Sequence, residues 1–322
     1  MNKKLRIVFM GTPEFAAYHL KKMVENNYHI VAVITAPDKP AGRGKKLKQS
    51  AVKQYALSVR IPVLQPKNLK SDSFLDTLKK YQPDVQVVVA FRMLPRQVWQ
   101  LPPLGTFNLH ASLLPDYRGA APINWAIING EKITGVTTFF IDDKIDTGEI
   151  ILQEKENILP QDNASSLHDR LMKKGSDLVM KTIDLIAQNK VKTIPQPQKN
   201  LPKKAPKLNR ENTYINWNKK TVEVHNFIRG LAMYPGAWTN IITDETNKTL
   251  KFIIYKSEYE IVKHNEKPGQ ITNTKKTMRI AVTDGFIFPK IVKLQGKKQM
   301  DIVSFLNGIR NKDMLRICKK NE

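Results

Sequence analysis

The sequence predicts an α/β domain, with a mostly parallel sheet covered by helices on both faces, followed by a small C-terminal β-barrel. Three observations carry this prediction. In the first half, near-continuous Val/Ile/Ala runs alternate with helical stretches, the pattern of parallel strands buried on both faces. A Pro- and Lys-rich stretch then breaks the alternation. Beyond it, short strands alternate with Gly-containing turns. The first arrangement is Rossmann-like and the second OB-like.

Each element has its own reason. LRIVFMG (5–11) is an apolar run suited to a buried strand. Residues 13–26 have helical spacing, with Pro13 placed where a first turn tolerates it. HIVAVITA (29–36) is a second strand, and PDKPAGRGKKLKQ (37–49) is a long basic loop, mobile by default. A helix over 50–59, a short strand at Val63–Leu64, a helix over 71–81 and the strand DVQVVVA (84–90) follow. The pattern continues with a strand at Thr106–His110, a helix over 120–129, strands at 136–141 and 150–154, and a long amphipathic helix over 165–188. VKTIPQPQKNLPKKAPKLN has no acidic residue and reads as an extended linker. The expected organisation is therefore a catalytic domain over 1–190, a linker over 191–208 and a barrel domain over 209–322. In the last part a helix over 221–230 precedes YPGAW, and strands are expected in TNIIT, LKFIIYKSEY, GQIT and MRIAVTDGFIFPKIVKL.

The chain has 322 residues and 41% hydrophobic content, enough for a sizeable core. Cys318 is the one cysteine, so no disulfide forms within the chain, and a reducing, cytoplasmic setting is expected. The opening MNKKLRIVFMGTPEF places lysines before an apolar run, but Gly11, Pro13 and Glu14 cut that run short. It is read as a first strand, not a leader. No stretch is long enough to cross a bilayer. The net charge is +24, split +9, +5 and +10 over residues 1–190, 191–208 and 209–322, so the linker is the densest in charge. This suits a polyanion such as nucleic acid or an anionic membrane face. Lysine greatly outnumbers arginine, so compositional bias is the competing explanation.

The chemistry concentrates in FNLHASLLPDYR (107–118) and FFIDDKIDTGEIIL (139–152). In a strand, residues i and i+2 point to one side, so Asn108 and His110 present an amide and an imidazole to one spot. In open α/β sheets, ligands sit beyond the carboxyl ends of the strands, where this pair lies. Asp142, Asp143 and Asp146 fall in a turn closed by Gly148, from which an acid could reach His110. A cationic His beside an amide donor suits the oxyanion of a tetrahedral intermediate. With no G-x-S-x-G, no nearby reactive Cys and no metal-ligand cluster, the expectation is direct acyl transfer without a covalent enzyme intermediate. The plainer alternatives stay open: a structural polar pair at a strand end, and aspartates that only form a turn. AGRGKK (41–46) lacks the full phosphate-loop pattern, and GTPEF lacks G-x-G-x-x-G. The other histidines are scattered.

Asn108-Leu-His110-Ala-Ser112-Leu-Leu-Pro115, then Tyr117-Arg118-Gly119-Ala-Ala-Pro122 and Asp146-Thr-Gly148, resembles the formyltransferase family that uses 10-formyltetrahydrofolate. VFMGTPEFA (8–16), residues 36–53, INWN (215–218) and MYPGAW (233–238) extend the resemblance over nearly the full length, to the branch that formylates methionyl initiator tRNA. The resemblance implies the following. Asn108, His110 and Asp146 are catalytic: the neutral α-amine attacks the formyl carbon, Asn108 and protonated His110 stabilise the oxyanion, and Asp146 keeps the ring charged. Ser112, Leu113, Leu114 and Pro115 form the folate loop. Phe91, Arg92 and Leu94 belong to the pterin wall, with Ile141 and Asp142. Arg92 stands where the family usually has glycine, and its side chain either crowds that pocket or faces outward. Loop 37–49 meets the tRNA acceptor end, through Arg43 with Lys45 and Lys46 on phosphates. Lys203, Lys204 and Lys207 extend the footprint. No metal is implied, and a monomer is expected. Three rivals remain: a same-fold formyltransferase acting on a small amine, such as an amino sugar nucleotide or a purine precursor; a hydrolase passing the formyl group to water; and a non-catalytic RNA-binding protein.

Overall fold

The computed structural model describes residues 4–41, 46–198, 201–243, 249–274, 276–309 and 315–318. The chain runs β1 (Ile7–Gly11), α1 (Glu14–Glu25), β2 (Ile30–Ile34), β3 (Lys39–Ala41), β4 (Lys46–Lys48), α2 (Ala51–Ser58), β5 (Val63–Leu64), α3 (Asp72–Lys80), β6 (Val85–Val89), α4 (Arg96–Trp99) and β7 (Thr106–His110). It continues through β8 (Arg118–Gly119), α5 (Pro122–Ile128), β9 (Ile133–Phe140), β10 (Ile150–Asn157), α6 (Ala164–Ala187), β11 (Lys204–Ala205) and α7 (Thr221–Leu231). The last part is β12 (Ala237–Ile242), β13 (Thr249–Ile261), β14 (Ile271–Asn273), β15 (Met278–Val282), β16 (Gly285–Leu294), β17 (Met300–Asp301), α8 (Ile302–Asn307) and β18 (Arg316–Cys318). No helix among the described residues is long and apolar enough to cross a membrane.

Two compact units result. One holds residues 1–119, 134–157 and 169–204; the other holds 120–133, 158–168 and 205–322. A single cut in the chain does not describe this division, for a physical reason. Within the second unit, Asn124 on α5 donates to the carbonyl of Gly230 on α7 at 2.8 Å. Arg229 donates to the carbonyl of Asp162 at 2.9 Å.

In the first unit the sheet order is β10-β9-β7-β6-β1-β2-β5. Strands β7, β6, β1, β2 and β5 are mutually parallel, and β9 runs antiparallel to β7. β1 and β6 are buried at every position, which is why they read as unbroken apolar runs. One face packs Val8, Met10, Ala32, Ile34 and Val88 against Phe74, Leu78 and Val98. On the other, Gly175 of α6 lies against β7: a Cβ there would meet the Leu109 side chain at 2.8 Å. A helix-interior glycine costs about 1 kcal/mol relative to alanine, and here it permits that close approach.

Two expectations change. Segment 37–49 is not wholly irregular, since β3 and β4 pair antiparallel with Lys39 opposite Lys48. Its root is fixed: Lys53 bonds Asp38 at 2.6 Å and Gln65 at 2.7 Å. The Lys53 bond, with one donated by Gln65 Nε2 at 2.8 Å, holds the Asp38 carboxyl below its usual range. The linker is also tied down, because Ile194 and Ile150 exchange main-chain hydrogen bonds of 2.8 and 2.9 Å. α4 and α8 are additions, too short for a helical period to show in the sequence.

The second unit is a nearly closed antiparallel sheet, β14-β15-β16-β13-β12-β18, with β17 on β16. Its core joins Val224, Ile228 and Leu231 of α7 to Phe252, Ile254, Ile280, Ile287 and Val292 of the strands. The register of the long β13 with β16 shifts around Lys256 and Ser257. Pro289 sits opposite Ser257, where its missing N–H costs the ladder least. INWN and MYPGAW meet in this unit. Ile215 donates to the Trp238 carbonyl at 2.8 Å, and the Trp217 indole donates to Thr239 at 3.2 Å. Cys318 is buried, its Sγ 3.8 Å from Thr249 Oγ1.

His225 lies on α7 beside Ser257, at 3.1 Å, and against the Tyr259 ring. Burial pushes its imidazole down to about 4, and the Arg229 guanidinium acts in the same direction. The unfolded chain takes up this proton near pH 6.5, whereas the folded chain does so near 4. The neutral ring therefore contributes stability that is fully present above pH 6.5 and is lost as pH falls through about 4. Melting temperatures measured across that interval should fall more steeply for the parent chain than for His225→Phe. Parallel curves would place the acid sensitivity elsewhere.

Candidate active site

Five parallel strands end at one edge of the first unit's sheet. The chain passes from β1 outward to β2 and β5, then crosses back to β6 and β7. The reversal leaves a crevice between the carboxyl ends of β1 and β6. An open cleft of about 440 Å³ occurs there, lined by Thr12, Ala36, Pro37, Lys39, Lys67, Ala90, Phe91 and Arg92. Three of the eight lining residues are cationic, and no lining residue is acidic.

Asn108 and His110 stand on the same edge, at the end of β7. Leu109 between them turns the other way, onto α6. Asn108 is half-buried, and its amide has no protein partner among the described residues. His110 is 6% exposed. Its Nε2 lies 2.8 Å from the Tyr117 carbonyl oxygen. A carbonyl only accepts, so Nε2 carries a proton and donates it there. Nδ1 then faces Asp146, whose Oδ2 is 3.8 Å away. That spacing is beyond a hydrogen bond, so the carboxylate acts on the ring as a charge. The same Oδ2 accepts from the Gly119 amide at 2.9 Å.

The loop after β7 is built to return the Tyr117 carbonyl to the ring. Ser112 is fully buried and donates to the Asp116 carbonyl at 2.6 Å. The Ser112 carbonyl accepts from Thr137 at 2.6 Å. Gln153 donates to the Leu114 carbonyl at 2.9 Å and to Thr137 at 3.0 Å. Tyr117 has φ +63°, a left-handed conformation, and its amide donates to the Lys203 carbonyl at 2.6 Å. The Asp146 loop is equally constrained. Asp146 has φ +55°. A Cβ at Gly148 would lie 1.7 Å from the Phe140 carbonyl oxygen, so only glycine fits. Gln196 donates to the carbonyls of Asp146 at 2.9 Å and Gly148 at 2.8 Å.

The other expected residues fall in three groups. Ser112, Leu114, Pro115 and Leu94 are buried. Leu114 packs with Phe139 and Ile150, while Leu94 belongs to the core under β1 and β6. Leu113, Phe91 and Ile141 are half-buried. Asp142 closes its own turn, accepting from Thr147 Oγ1 at 2.7 Å and from the Lys144 amide at 3.0 Å. Arg92 is exposed: its guanidinium donates to the Pro66 carbonyl and, at 3.1 Å, to the Lys67 carbonyl. It lies 5.7 Å from the Phe91 ring centroid. Of the basic residues, Lys203, Lys204 and Lys207 are exposed. Lys46 lies in β4. Arg43 and Lys45 lie outside the described residues.

Sequence reasoning missed Tyr117, Gly119, Thr137, Gln153 and Gln196 as supports of the site. Tyr117 and Gly119 stood in the quoted motif, but they act through main-chain atoms. Gln196 carried no signal, being one polar residue in a Pro/Lys-rich stretch.

Residues 5–183 match the family profile described as formyl transferase, and residues 207–310 match formyl transferase, C-terminal domain. The methionyl-tRNA formyltransferase of Flavobacterium johnsoniae is 53% identical over 98% of this chain and 99% of its own length. That of Parabacteroides distasonis is 50% identical over 95% of this chain and 96% of its own. Among solved structures, WlaRD, a sugar 3N-formyl transferase, has a TM-score of 0.64 at 24% identity, covering 92% of this chain and all of that one. HypX from Aquifex aeolicus in complex with tetrahydrofolic acid has a TM-score of 0.62 at 17% identity, covering 98% of this chain and 51% of that one. At such identities the likeness speaks for the fold alone. Two domain profiles in order, with half-identical relatives over nearly the whole length, leave one assignment: the chain belongs to the formyl transferase family, in the branch formed by the methionyl-tRNA formyltransferases.

Proposed function

We propose that the chain transfers the formyl group of 10-formyltetrahydrofolate to the free α-amino group of methionyl initiator tRNA, by direct attack of the amine. The observation that carries the reading is the placing, on one side of β7, of the Asn108 amide, which has no protein partner among the described residues, and an imidazole whose Nδ1 lies 3.8 Å from the Asp146 carboxylate. The amine nitrogen bonds to the formyl carbon while negative charge collects on the formyl oxygen. Asn108 donates to that oxygen. His110 has Nε2–H committed to Tyr117, so its second proton, on Nδ1, is the one Asp146 attracts and the nascent charge meets. Such fixed donors cost no reorganisation at the moment of reaction. The surplus amine proton leaves, the bond from carbon to the folate nitrogen breaks, and that nitrogen takes up a proton. Asp146 and His110 carry these protons, directly or by water.

The formyl donor is assigned to the loop Ser112–Pro115 with Phe91, Arg92, Leu94, Ile141 and Asp142. The tRNA is assigned to Arg43, Lys45, Lys46, Lys203, Lys204 and Lys207. Exposed lysines on the β3–β4 ribbon and after residue 202 support the second assignment, since phosphate contacts need accessible cations. On this reading residues 1–190 carry the chemistry, and 191–208 with 209–322 extend the tRNA footprint. The protein works as a monomer in the cytoplasm.

The direct test incubates the protein with charged initiator tRNA and 10-formyltetrahydrofolate and looks for formylmethionyl product. Formylation of a free small amine instead would replace the reading. Asn108→Ala should lower turnover about 100-fold or more, the usual cost of losing an oxyanion donor, and Asp146→Ala, which removes the carboxylate facing His110, should also cut turnover far more than tRNA affinity. Equal losses in both quantities would count against the assigned roles. Arg43→Ala should raise KM for the acylated tRNA and leave KM for the folate unchanged; identical tRNA kinetics would remove that contact. tRNA binding should weaken steeply with salt. A flat salt response would assign the lysine excess to composition alone.

A further inference from the structure

We propose that Gln196, held by Arg118, is a positioning residue for Asp146; the inference rests on the reading of Asp146 as the acid of the reaction. The Gln196 carboxamide uses its whole bonding capacity on this one task. Its two N–H groups go to the carbonyls of Asp146, at 2.9 Å, and Gly148, at 2.8 Å. Its oxygen accepts from Arg118 twice, from Nε at 3.2 Å and Nη2 at 2.5 Å. Because the guanidinium can only donate, it makes Oε1 the acceptor and so turns both N–H donors toward the loop. Arg118 immediately precedes Gly119, whose amide donates to Asp146 Oδ2 at 2.9 Å. The main chain of Asp146 and its carboxylate are thus gripped from one connected set of groups.

The grip answers a need of the loop. Asp146 holds a left-handed backbone, with φ +55°, that a non-glycine residue rarely keeps unaided. Gly148 is pressed against Phe140 with no room for a side chain. Bonds from Thr147 and Lys144 to Asp142 close the far end of the turn but do not reach Asp146. Gln196 itself is delivered by pairing: Ile194 bonds both ways with Ile150, and Thr193 bonds Glu149 at 2.5 Å. A stretch that reads as a basic tether therefore reaches the reaction's acid by one side chain. A displacement of about 1 Å in a reacting group can cost about 100-fold in rate, so a loop freed of this clamp slows turnover without touching substrate.

The test is a double-mutant cycle on the full chain, read by the formylation rate at saturating tRNA and folate and by KM for each substrate, with circular dichroism to normalise for folded protein. Gln196→Ala should lower the rate about tenfold or more, with KM for each substrate within about twofold of the parent. Gln196→Glu keeps the pairing with Arg118 but loses both donors, and should be as slow as Gln196→Ala. In the Asp146→Asn background, Gln196→Ala should cost less than about twofold, because the group it positions is already impaired. Equal losses in both backgrounds, or an effect confined to KM for the tRNA, overturn the positioning role and make Gln196 a packing or docking residue. Asp146→Asn without loss by itself brings down the reading of Asp146, and the positioning with it.

Discussion

Two oxygens compete for the His110 ring, and the fold assigns one nitrogen to each. The Tyr117 carbonyl takes Nε2–H at 2.8 Å, which leaves Nδ1 for the Asp146 side at 3.8 Å. Had the loop after β7 run straight on, no carbonyl would reach the ring and either nitrogen could face the carboxylate. The return of the chain is enforced by buried Ser112 and Thr137 and by Gln153, which fill one another's hydrogen bonds. A buried polar network of this kind is costly when half-satisfied and rigid when complete. Here it is the support on which the orientation of the imidazole rests.

The network is rigid because of what lies under it. β1 and β6 are buried throughout. Each buried Val, Ile or Leu side chain contributes about 1.5–3 kcal/mol relative to exposure. That outweighs the modest cost of fixing a few polar groups at the strand ends. α6 seats against β7 at Gly175, so the strand carrying Asn108 and His110 is clamped on the face opposite the site. Parallel pairing then brings the ends of β1, β2, β6 and β7 to a common edge, and the chain reversal between β1 and β6 opens the cleft there.

The basic character of the chain is distributed over elements with different mechanical roles. The β3–β4 ribbon is rooted by Asp38, Lys53 and Gln65, so Lys39 and Lys48 are exposed on a fixed base. The stretch after α6 has two characters. Near Ile194 and Gln196 it is paired to the first unit, while Lys203 and Lys204 are exposed. Charge density alone described only the second of these, since a charged run and an anchored run look alike when their contacts are hidden.

Much was legible from local pattern. Val/Ile runs with helical intervals determined the parallel sheet, Gly-punctuated short strands determined the antiparallel unit, and the strand period of two put Asn108 and His110 on one side of β7. These signals are readable because neighbouring residues share one periodic geometry. α4, α8 and the β3–β4 ribbon escaped because each spans fewer than two repeats of the period that would reveal it. The tertiary structure alone decided which histidine nitrogen meets the acid, how Arg92 turns to the main chain at Pro66 and Lys67, and that Gln196 holds the Asp146 loop. Those contacts join residues by single directional hydrogen bonds across 7 to 50 positions, and a bond of that kind leaves no periodic trace in the chain that makes it.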